Sequence, residues 1–245
     1  MTNFPWRLPA APLRSSALRA VTLGVIVTLV LSPIVASWTM SGADYIKRCL
    51  LFFAAPAILV VGLVGTHHPF PRFGSANAVT MLRVALVAGV AGLIGELPSE
   101  RIEWLAVVAV AILAVLDGVD GWLGRRSSQP SGFAAGFDMK PAAALTLILS
   151  VLVWLQGKAR AWVIACGLMR YGFVALGWMA PWMAGPLRST IRGKTVAVGQ
   201  VVGLGAALSP LVPVPFSRLV AAATLATLIW SFAVDIAWRR RQATR

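Results

Sequence analysis

The sequence predicts an all-α, polytopic membrane protein. Three observations predict it. Of 245 residues, 58% are hydrophobic and only 12% charged. Mean hydropathy is +0.80. The apolar residues are gathered in runs of about 20, the length at which a helix crosses a bilayer. A soluble domain would be about a quarter charged. This composition excludes a soluble globular enzyme, a disordered chain and a coiled coil. Lys and Arg number 22 against 8 Asp and Glu, a net charge of +14. The cations lie mostly between apolar runs. They therefore match anionic lipid headgroups and membrane topology, and nucleic acid is not an expected partner.

Walking the chain locates eight candidate spans: Ala20 to Trp38, Cys49 to Gly65, Ala76 to Gly95, Trp104 to Leu123, Phe133 to Leu155, Ala161 to Pro181, Thr195 to Pro213, and Leu219 to Trp238. The basic N-terminus precedes a run long enough to span, with no small-residue cleavage pattern after it, so it reads as a first helix and not as a signal peptide. One set of connections holds Arg7, Arg14, Arg19, Arg72, Arg125, Arg126, Arg188, Arg192, Lys194 and the tail Arg239, Arg240, Arg241 and Arg245. The other holds Lys47, Arg48, Arg101, Lys158, Arg160 and Arg218. The richer side is expected to be cytoplasmic. Both termini then face the cytoplasm of a multi-pass protein in the cell (inner) membrane. The connection containing Lys158 and Arg160 is a local exception. The connection Thr66 to Ser75 divides residues 1–74, a basic segment with two helices, from residues 75–245 with six.

Cys49 and Cys166 lie inside apolar runs and read as buried small residues. His67 and His68 read as a solvated connection, and the ten Trp as interfacial anchors.

Chemistry is concentrated around the acids. Of five aspartates, Asp117, Asp120 and Asp138 fall in one short stretch, at the end of the fourth span and the start of the fifth. Ionisable groups at membrane depth cost on the order of 3 kcal/mol or more and usually mark function. Asp117, Asp120, Gly121 and Gly124 are spaced to share one helical face. That stripe sets carboxylates, which bind hard divalent cations, beside positions with no side chain, where a bulky ligand reaches the backbone. Arg125 and Arg126 follow, placed to meet phosphate. Solvation at the interface is the alternative for two such acids. A third on the neighbouring span favours a metal site, because three carboxylates converge only around a cation or proton.

The run Asp117-x-x-Asp120-Gly121-x-x-Gly124-Arg125, with Asp138 thirteen residues on, resembles the signature of the CDP-alcohol phosphatidyltransferases. That signature is D-x-x-D-G-x-x-A-R, eight residues, then G-x-x-x-D-x-x-x-D. The stretch Asn77 to Arg83 is similar to the opening of that family's first core helix. The resemblance covers about Ser75 to Trp238. It implies a six-helix core, here preceded by two additional helices, a polar cavity open to the cytoplasm, and pairing as a homodimer. It implies transfer of a substituted phosphate from a CDP-linked donor, such as CDP-diacylglycerol, to an alcohol, with release of CMP, in phospholipid biosynthesis. Carried over by position, Asp117, Asp120 and Asp138 would hold Mg²⁺ or Mn²⁺. Gly121, Gly124 and Arg125 would contact the CMP half of the donor.

The sequence departs from the signature in places. Its alanine is Gly124, and its second glycine falls at Ala134. The last aspartate, the family's proposed general base, falls at Ala142. No catalytic base is therefore intact, and a general base is typically worth about 10²–10⁴ in rate. Pro141, beside it, is unusual but tolerable in a helix's first turn. Arg188, Arg192 and Lys194 form a basic connection, suited to a phosphate or headgroup or simply to setting topology. Arg83 and Arg170, inside spans, are expected to face a polar cavity or pair with a carboxylate; snorkelling is the alternative for Arg83. Two other readings stay open: a catalytically impaired relative that binds CDP-lipid or scaffolds a partner, and a small transporter.

Overall fold

The computed structural model describes residues 11–67, 75–126, 132–179 and 190–243, and within these the side chains of Asp120, Gly121, Gly124, Arg125 and Asp138 are outside the described set. All regular structure among the described residues is helical. Eight α-helices follow one another: α1 (Ala11–Thr39), α2 (Ala43–His67), α3 (Ser75–Gly92), α4 (Glu100–Arg126), α5 (Gly132–Leu155), α6 (Ile164–Met179), α7 (Ile191–Leu208) and α8 (Val214–Ala243). A single 3₁₀ turn, Ala161–Val163, leads into α6. Each expected span has its helix. Several helices run past the apolar stretch that announced them, since a helix continues through the interface for as long as its backbone bonds hold. Stretches of α1, α2, α4 and α8 are long and apolar enough to cross a membrane; α3, α5 and α6 carry shorter apolar stretches. The chain is a polytopic membrane protein.

The chain forms two compact units, Met1–Glu96 with Ala111–Pro141, and Leu97–Val110 with Ala142–Arg245. The division passes through α4 and α5.

In the first unit α1, α2 and α3 pack on one another. The contact face of α1 is a run of small residues: Ala17, Ala20, Thr28, Ser32 and Ala36 are all buried. Gly24 lies in the same register, and a Cβ there would come within 2.5 Å of the Phe53 ring. Small residues at this spacing let membrane helices approach closely. The α2 face is Tyr45, Cys49, Phe53, Ala57 and Val60, each at most 7% exposed. Its first turns also grip the end of α3. Tyr45 Oη donates to the Gly89 carbonyl at 3.0 Å, Arg48 Nε donates to the Gly92 carbonyl at 2.9 Å, and Arg48 pairs with Glu96. Gly92 makes room for this, because a Cβ would run into Cys49 Sγ and the Tyr45 ring. Helix α3 ends three residues before the expected Gly95, which takes φ +100°, a conformation only glycine adopts freely.

In the second unit α7 packs along α8. Gln200 Nε2 donates to the Thr224 carbonyl at 2.7 Å, and Gly203 admits the Thr224 side chain. The buried positions Ser217, Ala221, Thr224, Leu228 and Ser231 mark the face of α8. Gly167 of α6 sits directly on Leu147 of α5. A polar cluster closes one end of this unit. Lys158 Nζ lies 2.8 Å from Glu103 and donates to the Ser209 carbonyl at 3.2 Å; Ser217 Oγ donates to the Lys158 carbonyl at 2.8 Å. By the charge count Lys158 lies in a connection that is a local exception to the topology rule. It is 7% exposed and neutralised by Glu103. Lys47 and Arg48, from the same side of the count, are also paired, with Asp44 and Glu96.

Candidate functional site

Helix α4 is continuous through Arg126. The i, i+3, i+4, i+7 spacing of Asp117, Asp120, Gly121 and Gly124 is therefore a single stripe by register. Asp117 is the one member of the expected metal set whose side chain is described. Arg83, on α3, reaches it: the guanidinium Nη2 lies 2.5 Å from Asp117 Oδ1. The two partners are unequally covered, with the Arg83 side chain 5% exposed and that of Asp117 45% exposed. A guanidinium inside an apolar helix is tolerated when a carboxylate answers its charge. The pairing alternative for Arg83 is thus realised, and snorkelling is not.

This bond does not exhaust Asp117. A carboxylate offers about four lone-pair positions, and nearly half of this side chain is accessible. The donor chemistry fits a hard divalent cation. A carboxylate oriented by a hydrogen-bonded neighbour is the usual form of a metal ligand. Asp120 and Asp138 stand on α4 and α5 with their side chains outside the described set. Among the described residues no three His, Cys, Asp or Glu side chains form a metal-binding group.

Ala142 lies on α5, where its carbonyl accepts from Thr146 Oγ1 at 3.0 Å. It brings no proton acceptor to the site. Pro141 is a correction: α5 starts at Gly132, so this proline lies in the helix interior and not in a first turn. Membrane helices carry such prolines because neighbouring groups take up the freed carbonyl. Pro33 and Pro56 are likewise inside α1 and α2.

The basic connection is partly described. Arg188 lies outside the described residues. Thr190 caps α7, its Oγ1 accepting from the Gly193 amide at 3.1 Å. Arg192 pairs with Asp235 of α8, and its guanidinium stands 5.7 Å from the Trp230 ring centroid. Arg192 Nε is buried with no acceptor among the described residues. Lys194 is exposed. Sequence reasoning gave Asp235 no role. The available signal was a single acid in an otherwise apolar and basic helix. Arg170 is half-buried on α6. Cys49 and Cys166 are buried free thiols, as expected of residues inside apolar runs.

The family model for CDP-alcohol phosphatidyltransferase matches residues 73–233, more than half of the chain. The chain is a member of the CDP-alcohol phosphatidyltransferase family. No curated protein and no solved structure matches it significantly. Membership points to phosphotransfer from a CDP-linked alcohol, and the family is generally dependent on a divalent metal.

Proposed function

We propose that this protein transfers a phosphatidyl-type group from CDP-diacylglycerol, or a similar CDP-linked lipid, to an alcohol and releases CMP, as a step of phospholipid biosynthesis. The observation that carries the reading is the Arg83–Asp117 pair: a buried cation holds one end of an accessible carboxylate, inside the segment that matches the family. Asp117, Asp120 and Asp138 would hold Mg²⁺ or Mn²⁺, which when bound offsets the charge of the pyrophosphate and of the departing CMP. Gly121 and Gly124 leave the stripe bare for the nucleotide, and Arg125 meets its phosphate. Arg188, Arg192 and Lys194 would hold a phosphate or headgroup, and the Arg192 Nε, buried with no acceptor among the described residues, supports an anion beside it.

In the transfer, the acceptor's hydroxyl oxygen forms a bond to the lipid-bearing phosphorus. The pyrophosphate P–O bond breaks toward CMP, and the hydroxyl proton leaves to a base. Arg83 keeps Asp117 turned to the ligand and takes no proton. Position 142 cannot accept the proton, so it passes to water or to a phosphate oxygen. The domain spans 75–245, with 1–74 as an N-terminal addition. Both termini face the cytoplasm of the cell membrane, and the protein works as a homodimer.

The methyl group at Ala142 favours a second reading, a relative that binds CDP-lipid with impaired turnover or scaffolds a partner enzyme. Family membership lends no support to a transporter. The test is CMP release from CDP-diacylglycerol by the purified full chain with Mn²⁺ and a panel of alcohols, alongside Ala142→Asp. A restored base should raise the rate about 10²–10⁴-fold. Release by the native chain supports the enzyme; release by the variant alone supports the impaired relative. Silence from both, in folded protein, overturns the transferase reading.

A further inference from the structure

We infer that the α1–α2 hairpin is a positioning element for the Asp117 carboxylate, acting through α3; this rests on the reading of Asp117 as a metal ligand. The hairpin lies outside the family match, which starts at residue 73, and needs a role of its own.

Helix α3 is held from behind. Met81, Val84, Ala85 and Ala88 share one buried cluster with Ala17 and Ala20 of α1 and Phe53 and Ala57 of α2. Arg83 is two residues from Met81, about 200° around the helix, so it points away from the hairpin and toward Asp117. The hairpin therefore sets how far forward α3, and with it the guanidinium, can stand. It also sets the position of α3 along its axis. Tyr45 and Arg48 hold the Gly89 and Gly92 carbonyls, and Arg48 adds an ion pair to Glu96 just beyond the helix end. These contacts oppose both sliding and tilting.

Gly24 is the point at which this support can be disturbed with least chemistry. A Cβ there would lie 2.5 and 2.7 Å from Phe53 Cζ and Cε2, and 3.6 Å from the Met81 carbonyl. The Phe53 ring is 2% exposed, so it is crowded inside the packed α1–α2 interface. A branched side chain at position 24 must displace the Phe53 ring or push α1 from α2 beside Met81.

The experiment uses the full chain in nanodiscs and reads Mn²⁺ affinity by electron paramagnetic resonance, and the Mn²⁺ dependence of CMP release where there is turnover. Gly24→Val should weaken Mn²⁺ binding about 10-fold, the usual scale for loss of outer-shell orientation. Gly24→Val with Phe53→Ala, which returns the space, should bring affinity back to within about threefold of native. A purely structural role would lower the folded yield without moving the affinity of the folded fraction. If Gly24→Val does not fold, Arg48→Met with Glu96→Met, which removes the axial grip without leaving a lone charge, should give the same weakening. Native affinity in a folded hairpin variant overturns the inference, provided Asp117→Asn reduces Mn²⁺ binding. If Asp117→Asn binds Mn²⁺ as the native chain does, the reading of Asp117 fails, and the inference falls with it.

Discussion

Arg83–Asp117 and Lys158–Glu103 both place a cation inside an apolar body, and they differ in what is left uncovered. In the second pair Lys158 and Glu103 are 9% and 12% exposed, and the ammonium has a further acceptor in the Ser209 carbonyl. Its backbone carbonyl is also engaged, by Ser217. Nearby, the Ser99 amide donates to Gln156 Oε1 at 3.0 Å. This pair is closed, and its work is to fix the ends of α4, α7 and α8 against the α5–α6 connection. In the first pair the arginine is as deeply buried, but its carboxylate is 45% exposed. A closed pair must offset the desolvation of both charges by its own contacts, and it leaves no carboxylate oxygen free for a ligand. An orienting pair must leave its anion accessible. The contrast teaches that coverage of the acid, more than the presence of an ion pair, separates a fastening from a site.

The comparison breaks most sharply at the two aspartate and lysine side chains. Asp117→Asn keeps the shape of the side chain and removes its charge. It should lower Mn²⁺-dependent CMP release by about 10³-fold, the loss of several kcal/mol of charge stabilisation, and weaken Mn²⁺ binding in parallel. Metal titration of the purified variant checks it. Lys158→Met acts in the opposite sense. It strands the Glu103 carboxylate, and breaking a buried pair on one side costs about 3–5 kcal/mol. The expected result is a large fall in the unfolding midpoint in detergent, with an unchanged Mn²⁺ affinity in the protein that remains folded. If Lys158→Met shifts metal affinity and Asp117→Asn does not, the assignment of roles is reversed.

Much of this was legible in the sequence, and the part that was not has a common cause. The eight helices follow from apolar runs, a local property, although among the described residues only α1, α2, α4 and α8 hold stretches of bilayer length. The stripe at Asp117, Asp120, Gly121 and Gly124 follows from helical register, also local. Arg83 was recognisable as a cation that needed company, and only the fold could choose Asp117 over a cavity or the interface. Lys158 and Glu103 are far apart in the chain. The charge rule reads Lys158 by itself, as a local exception to topology, and gives it no partner. The role of Arg48 was hidden in the same way, because its partners are a carbonyl at a helix end and Glu96 beyond it. Pro141 was misplaced for a different reason: the expected span already begins at Phe133, one residue from the observed start at Gly132, so Pro141 stands well inside it and the first-turn reading did not follow from that span. Asp120 and Asp138 stand as expectations from the signature, with side chains outside the described set, and Arg188 as an expectation from the basic connection, outside the described residues.

The smallest expected effect sharpens the comparison most. If Lys158–Glu103 is only a fastening, its charges are dispensable when they leave together. Replacing a buried ion pair by apolar residues of similar volume is often neutral or stabilising, because neither partner is then left desolvated and alone. Glu103→Leu with Lys158→Met should therefore recover most of what Lys158→Met loses, to within about 1 kcal/mol of the native chain. The Ser217 bond to the Lys158 carbonyl uses backbone and survives the exchange. The Ser209 carbonyl loses the ammonium, which sets a residual cost of about one hydrogen bond. Thermal unfolding of the two single variants and the double variant completes the cycle. Recovery in the double variant confirms that pairing, and no further use of the charge, explains the burial of Lys158. A double variant as unstable as Lys158→Met would mean that the lysine serves a partner other than Glu103, and the closed pair would have to be read as a site in its own right.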